Sequence, residues 1–153
     1  MKRVLKRQAG FTLIEILVVI FIVAALLTVT QISLTSARAK ARDIRRVSDV
    51  RQVQNGLELY FHNKNKYPIA ENITLGNDNY DIFCDTAAGF QADETDCASF
   101  YFKKLPLAPT PPDGNSYVYS SADGKIYSIV FSLEKVTGSL SEGEHTATQA
   151  GIQ

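Results

Sequence analysis

The sequence predicts an α+β protein in which one long N-terminal helix packs on a small antiparallel sheet. Three observations carry this. No Gly or Pro occurs between Phe11 and Asn55, so nothing obliges a helix to stop there. Within that stretch and just past it, Ala37, Ala41, Ile44, Val47, Val50, Val53, Leu57, Tyr60 and Phe61 recur every three or four residues, the spacing of one helix face. Near the C-terminus, Tyr127, Ile129, Phe131 and Leu133 take alternate positions, the spacing of one strand face.

The first element is the apolar run from Phe11 to Val29, whose only charge is Glu15. As a helix it is about 28 Å long at 1.5 Å per residue, close to a bilayer core of about 30 Å. Lys2, Arg3, Lys6 and Arg7 precede it with no acid among them, which predicts a cytoplasmic N-terminus and an outward-facing remainder. The basic stretch after the run opposes this orientation, but the leader charges come first and lie closest. A secretory signal is the rival reading, with a small-x-small site at Ala37-Arg38-Ala39. Against it, the apolar run exceeds signal length and the site falls within a helical pattern.

Beyond the run the helix becomes amphipathic and is expected to reach about Phe61, where "HNKNKYP" ends it with Asn residues and Pro68. Arg45 with Asp49 and Asp43 with Arg46 are spaced as ion pairs on a solvated face. Residues 69–97, rich in Asn, Asp, Gly and Thr, are expected to form a long loop with one short strand, and "CASFYFKKLP" a short helix stopped by Pro106. "SYVYSS" and "KIYSIVFSLE" flank Ala122-Asp123-Gly124 as a hairpin whose apolar face the helix covers. For "SEGEHTATQAGIQ" an edge strand and a loose tail both stay open. The domain reading is 1–10 leader, 11–34 apolar helix, 35–62 amphipathic helix and 63–153 head.

Net charge is zero, with 16 Lys+Arg against 16 Asp+Glu, but from His62 onward there are six Lys and twelve acids. The chain is therefore a basic stem with an acidic head. Enzyme chemistry finds no support. His62 and His145 are lone histidines, and no G-x-S-x-G or Walker A stretch is present. The basic residues Arg38 to Arg51 lack interleaved aromatics, so a nucleic-acid stripe is the weaker reading beside a solvated face or a meeting place for a neighbour's acidic head.

Glu15 is the residue that needs explaining. A charge at the centre of a spanning helix costs about 2.5–3.5 kcal/mol, and intramembrane acids usually have partners. The segment around it, "GFTLIEILVVI" behind a short basic leader, resembles the processing site of type IV pilins and pseudopilins. The resemblance implies cleavage after Gly10 by a membrane prepilin peptidase, N-methylation of the new terminus Phe11, and pairing of Glu15 with the terminal amine of a neighbouring subunit. Two groups that are costly alone would then set register between subunits. "SDVRQVQNGLELYFHNKNKYP" and "KKLPLAPTPPDGNSYVY" are similar to the family's helix end and Pro-rich connector, so the likeness is specific over the first 68 residues and looser in the head.

The chain departs from the family's pattern in lacking a helix-breaking proline near Ile32 and a glycine near Ala24. Family members that serve as the major secretion pseudopilin often hold calcium in acidic C-terminal loops near a Trp. This chain has no Trp, and Asp113 and Asp123 are read as turn residues, so neither metal nor cofactor is expected. Cys84 and Cys97, in a head placed outside the cytoplasm, are expected to form a disulfide in preference to free thiols or a metal pair.

The resulting expectation is a non-enzymatic pilin-like subunit of a type IV pilus-type filament. It would be a single-pass protein of the cytoplasmic membrane before assembly and part of a periplasmic or extracellular filament after it. Its implied partners are other copies of itself, membrane lipid before assembly, the prepilin peptidase and methyltransferase, and an inner-membrane platform with its ATPase. A pseudopilin of type II secretion, a DNA-uptake pilus subunit, and an anchored binding domain that never polymerises are the alternatives.

Overall fold

The computed structural model describes residues 10–112 and 114–153, with the side chains of 29–33 left out. The basic leader through residue 9, Asp113, and the side chain of Ile32 therefore lie outside the described residues. The chain divides into two compact units, residues 1–38 and 39–153.

Helix α1 runs Leu13–Lys64, three residues beyond the expected end. Thr12 caps its start: the Glu15 N–H donates to Thr12 Oγ1 at 3.3 Å, which satisfies a donor that has no partner within the helix. Asn65 closes the other end in a left-handed conformation at φ 55°, with its N–H donating to Phe61 O at 2.7 Å.

Among the described residues of the first unit the large apolar side chains point outward on every side, from Leu13 at 83% exposure to Leu34 at 45%. A helix apolar all round is one whose burial must come from elsewhere. Among the described residues no helix is long and apolar enough to cross a membrane, and the far end of the expected span, from Val29, lies among the undescribed side chains.

The second unit holds the core. Five strands form one antiparallel sheet in the order β1-β5-β6-β7-β8: β1 Ala70–Leu75, β5 Tyr117–Ser121, β6 Ser128–Leu133, β7 Gly143–Thr148 and β8 Gly151–Ile152. Three short strands form a second sheet in the order β3-β2-β4: β2 Ile82–Cys84, β3 Phe90–Gln91 and β4 Phe100–Phe102. Val50, Val53, Leu57 and Tyr60 of α1 share one buried cluster with Tyr117 and Tyr119 of β5, Ile129, Phe131 and Leu133 of β6, and Ala147 of β7. The expected hairpin pairs Val118 with Val130 and Ser120 with Ser128. At its turn Gly124 adopts φ +73°, and its carbonyl accepts the Tyr67 N–H at 2.8 Å, joining the turn to the end of the helix.

Several expectations are corrected here. Residues 69–97 contain three strands, and "CASFYFKKLP" holds strand β4 in place of a helix. The strands of the second sheet are two or three residues long, and all three residues of β2 are buried, so no alternation marks it. What makes them strands is aromatic packing across the small sheet. Phe83 lies 4.5 Å from Phe90 and 4.9 Å from Tyr101 by ring centroid. The C-terminal stretch is also ordered, with β7 pairing along β6 from Ala147 opposite Ile129 to Gly143 opposite Leu133.

Cys84 and Cys97 are disulfide-bonded, with Cα atoms 5.7 Å apart. The bond closes the loop that joins β2, β3 and β4, and Asp85 Oδ1 tightens it by accepting the N–H groups of Ala98 and Ser99 at 3.0 Å each. Replacing both cysteines by serine is expected to cost roughly 3 kcal/mol by the chain-entropy relation for a loop of this size. Urea unfolding of the full chain in detergent measures it, and a cost near zero would mean that the aromatic contacts and the Asp85 hydrogen bonds hold this loop without the disulfide.

Candidate functional site

Two clusters qualify, one in each unit. The first is the start of α1. Gly10 and Phe11 are exposed and precede the helix, and nothing stands within 4 Å of where a Gly10 Cβ would lie. Thr12 is the cap residue and Glu15 the third helical residue, the spacing of a capping box. The carboxylate of Glu15 therefore sits in the first turn of the helix, where the aligned peptide dipoles favour negative charge. One turn and more onward, Leu17, Ile20, Phe21 and Ala24 line a shallow apolar groove of 410 Å³.

The second cluster ties α1 to the head. Arg46 is fully buried and forks to four oxygens: Asp43 Oδ1 at 2.6 Å, Glu134 Oε1 at 2.7 Å, Pro109 O at 2.6 Å and Pro111 O at 2.7 Å. Arg42 meets Glu134 through two parallel bonds of 2.8 and 2.5 Å. Asp43, also fully buried, accepts the backbone N–H groups of Glu134 and Lys135 at 2.9 and 2.8 Å. One guanidinium thus joins α1, the end of β6 and the proline-rich connector, a task that a planar fork performs and a point charge does not. The bond from Arg42 holds the Glu134 carboxyl down at about 2, with Arg46 adding to it against the opposing cost of burial.

This corrects the expectation of a solvated face. Arg45 remains exposed, but its partner Asp49 is buried, with Oδ2 3.8 Å from Arg45 Nε and 2.9 Å from the Tyr117 hydroxyl that donates to it. Burial is the main cause that raises the Asp49 carboxyl above its usual range and the Tyr117 phenol above its own. The buried residues of α1 include Ala39, Asp43, Arg46, Asp49, Val50, Val53, Leu57 and Tyr60, whereas Ala37, Ala41 and Ile44 face outward.

The sign of the pH dependence follows from Glu134. Its folded value lies below its ordinary 4.5, so its contribution is complete above that pH and is lost as pH falls toward about 2. Asp49, raised by burial, acts in the opposite sense. The melting-temperature gap between wild type and Glu134→Gln is therefore expected to be full at neutral pH and to close on acidification below 4.5. A gap that does not change across that window would remove the ion pair from the account.

Among the described residues no group of three or more His, Cys, Asp or Glu side chains could hold a metal ion. His145 is buried between the carbonyls of Ser141 and Gln153 at 2.9 and 3.0 Å, and His62 is exposed beside Asn63.

Residues 5–30, which include Gly10, Phe11 and Glu15, match the family model for the prokaryotic N-terminal methylation motif. The chain is 30% identical over 116 residues to the type II secretion system core protein G of Escherichia coli (strain K12), a match that covers 76% of this chain and 74% of the relative. The chain belongs to the type IV pilin and pseudopilin family. Like-named core G proteins of Aeromonas hydrophila and Pectobacterium carotovorum subsp. carotovorum are each 38% identical to this family member, over 66 and 65 residues. Those matches cover 43% and 42% of this chain and only 46% and 42% of the relatives' lengths. No solved structure matches it. Among pilins and pseudopilins the chain is thus placed by its N-terminal segment and by one long alignment. The Arg46 cluster is the part of the site that sequence patterning missed.

Proposed function

We propose that the chain is a pseudopilin of a type II secretion-type system, cut after Gly10, methylated at Phe11 and assembled into a filament through its apolar helix. The observation that supports this best is the unbroken exposure of apolar side chains from Phe11 to Leu27, within a segment that matches the methylation motif. So much apolar surface needs a cover on all sides, and lipid before assembly and neighbouring helices after it supply one. In this reading Glu15 pairs with the Phe11 amine of the adjacent subunit, and the role is structural, without catalysis. The membrane peptidase, the platform and the ATPase are its partners.

The relatives are named for secretion, which favours the secretion reading over the pilus reading first drawn from the sequence. Expression in a host that lacks its own core G protein tests it. Restored secretion together with a sheared filament fraction containing this chain is the expected result. A chain that is cleaved and membrane-bound but never recovered in filaments would make it an anchored monomeric module.

A further inference from the structure

The outer face of α1 within the second unit carries an open groove at the margin of the core. Ile44, Val47, Ser48, Arg51, Gln52, Asn55 and Thr137 line an open groove of 310 Å³ between the helix and the turn after β6. Ile44 is 55% exposed there, an apolar residue on a face whose opposite side is fully packed. Lys40 lies one turn before Ile44 and Arg51 two turns after it, so both cations fall on the same face. Neither has an ion-pair partner among the described residues, whereas Arg42, Asp43, Arg46 and Glu134 in the buried cluster all do.

A complementary surface exists elsewhere on the head. The loop after β3 exposes Asp93, Glu94 and Asp96, three acids in four positions, and none of them has an ion-pair partner among the described residues. The loop is held in shape before any partner arrives. The Gln91 side chain donates to Asp93 O and Thr95 O at 2.8 Å each, and the disulfide closes its base. A loop already ordered loses little conformational entropy on docking.

We propose that this groove receives the Asp93–Asp96 loop of a second copy of the chain, with Lys40 and Arg51 meeting its carboxylates around the Ile44 contact. Groove and loop are different patches of one molecule, so the contact is head-to-tail. Repeated from copy to copy, such a contact stays open and builds a filament unless its rotation closes into a ring. The inference rests on the filament reading and adds to it the surface that would set the order of the heads.

The test uses the full chain in cells that assemble it, with a benzoylphenylalanine cross-linker in place of Ile44 and a second reporter in place of Leu17. The expected product from position 44 is a dimer whose linked peptide contains residues 92–97. Arg51→Glu should lower its yield about tenfold, and adding Glu94→Lys with Asp96→Lys should restore most of it, because like charges facing each other repel and opposite charges attract. A cross-link from position 44 to another part of a second copy, to lipid or to nucleic acid overturns the proposal. So does a yield that ignores charge reversal. If position 17 links copies and position 44 does not, the docking surface is wrong and the filament stands. If neither links copies, the filament reading falls with it.

Discussion

Replacing Arg46 with leucine is expected to cost the head about 3–5 kcal/mol, the range for removing one partner of a buried ion pair. That is a large share of a total stability of roughly 5–15 kcal/mol for a domain. The reason lies in what stays behind. Asp43 and Glu134 would face each other across the vacated site, and the carbonyls of Pro109 and Pro111 would lose the donor that Arg46 supplies. Asp43 would keep the N–H groups of Glu134 and Lys135, so the loss should stop short of complete unfolding. Arg46→Lys keeps the charge but cannot reach four oxygens in two directions, and it should fall between wild type and leucine. Denaturant unfolding of the three proteins in detergent gives the order. A leucine variant within about 1 kcal/mol of wild type would show that hydrophobic contact alone fastens the helix, as replacement of buried ion pairs by apolar groups sometimes allows.

The same cluster shows why part of the fold was legible in the sequence and part was not. The long helix follows from the absence of Gly and Pro, the recurring apolar positions and the Asn-rich stop before Pro68, all local features. The β5–β6 hairpin follows from alternation and a Gly turn, which are also local. The inward face of α1 was misread at its beginning because it was chosen by hydrophobicity. Asp43 and Arg46 occupy slots in phase with Val50, Val53 and Leu57, and they can be buried because Glu134 arrives from about 90 residues away. No window along the helix contains that partner. The small second sheet was missed for a related reason. Strands of two or three residues have no period, and β2 is recognisable only through its neighbours β3 and β4. In the candidate processing site the reverse holds. Gly10, Phe11 and Glu15 fall within six consecutive residues, so a single window contains their pattern, and the structure adds the Thr12 cap and the exposure.

Glu15→Ala carries the second large expected effect. The variant should insert into the membrane as well as wild type or better, since an apolar run without a carboxylate is cheaper to place in lipid. Filament recovery should nevertheless fall by an order of magnitude or more, because the Phe11 amine of each incoming subunit would then be desolvated with no acid to meet it. Glu15→Gln keeps the size and polarity, so a loss of similar depth there assigns the effect to charge. The cap contributes separately: Thr12 Oγ1 accepts the Glu15 backbone N–H whatever the side chain, so helix content should be unchanged in both variants. Equal filament recovery from wild type and Glu15→Ala would remove the pairing role and leave helix packing as the sole source of register.

In the proposed assembly the Phe11 amine that meets Glu15 forms only when the leader is removed. Mass spectrometry of the chain recovered from membranes of a host with a prepilin peptidase decides whether it forms. The account predicts a mature chain that begins at a methylated Phe11. An intact chain beginning at Met1, or one beginning near Lys40 after cleavage at the Ala37-Arg38-Ala39 site, would contradict it.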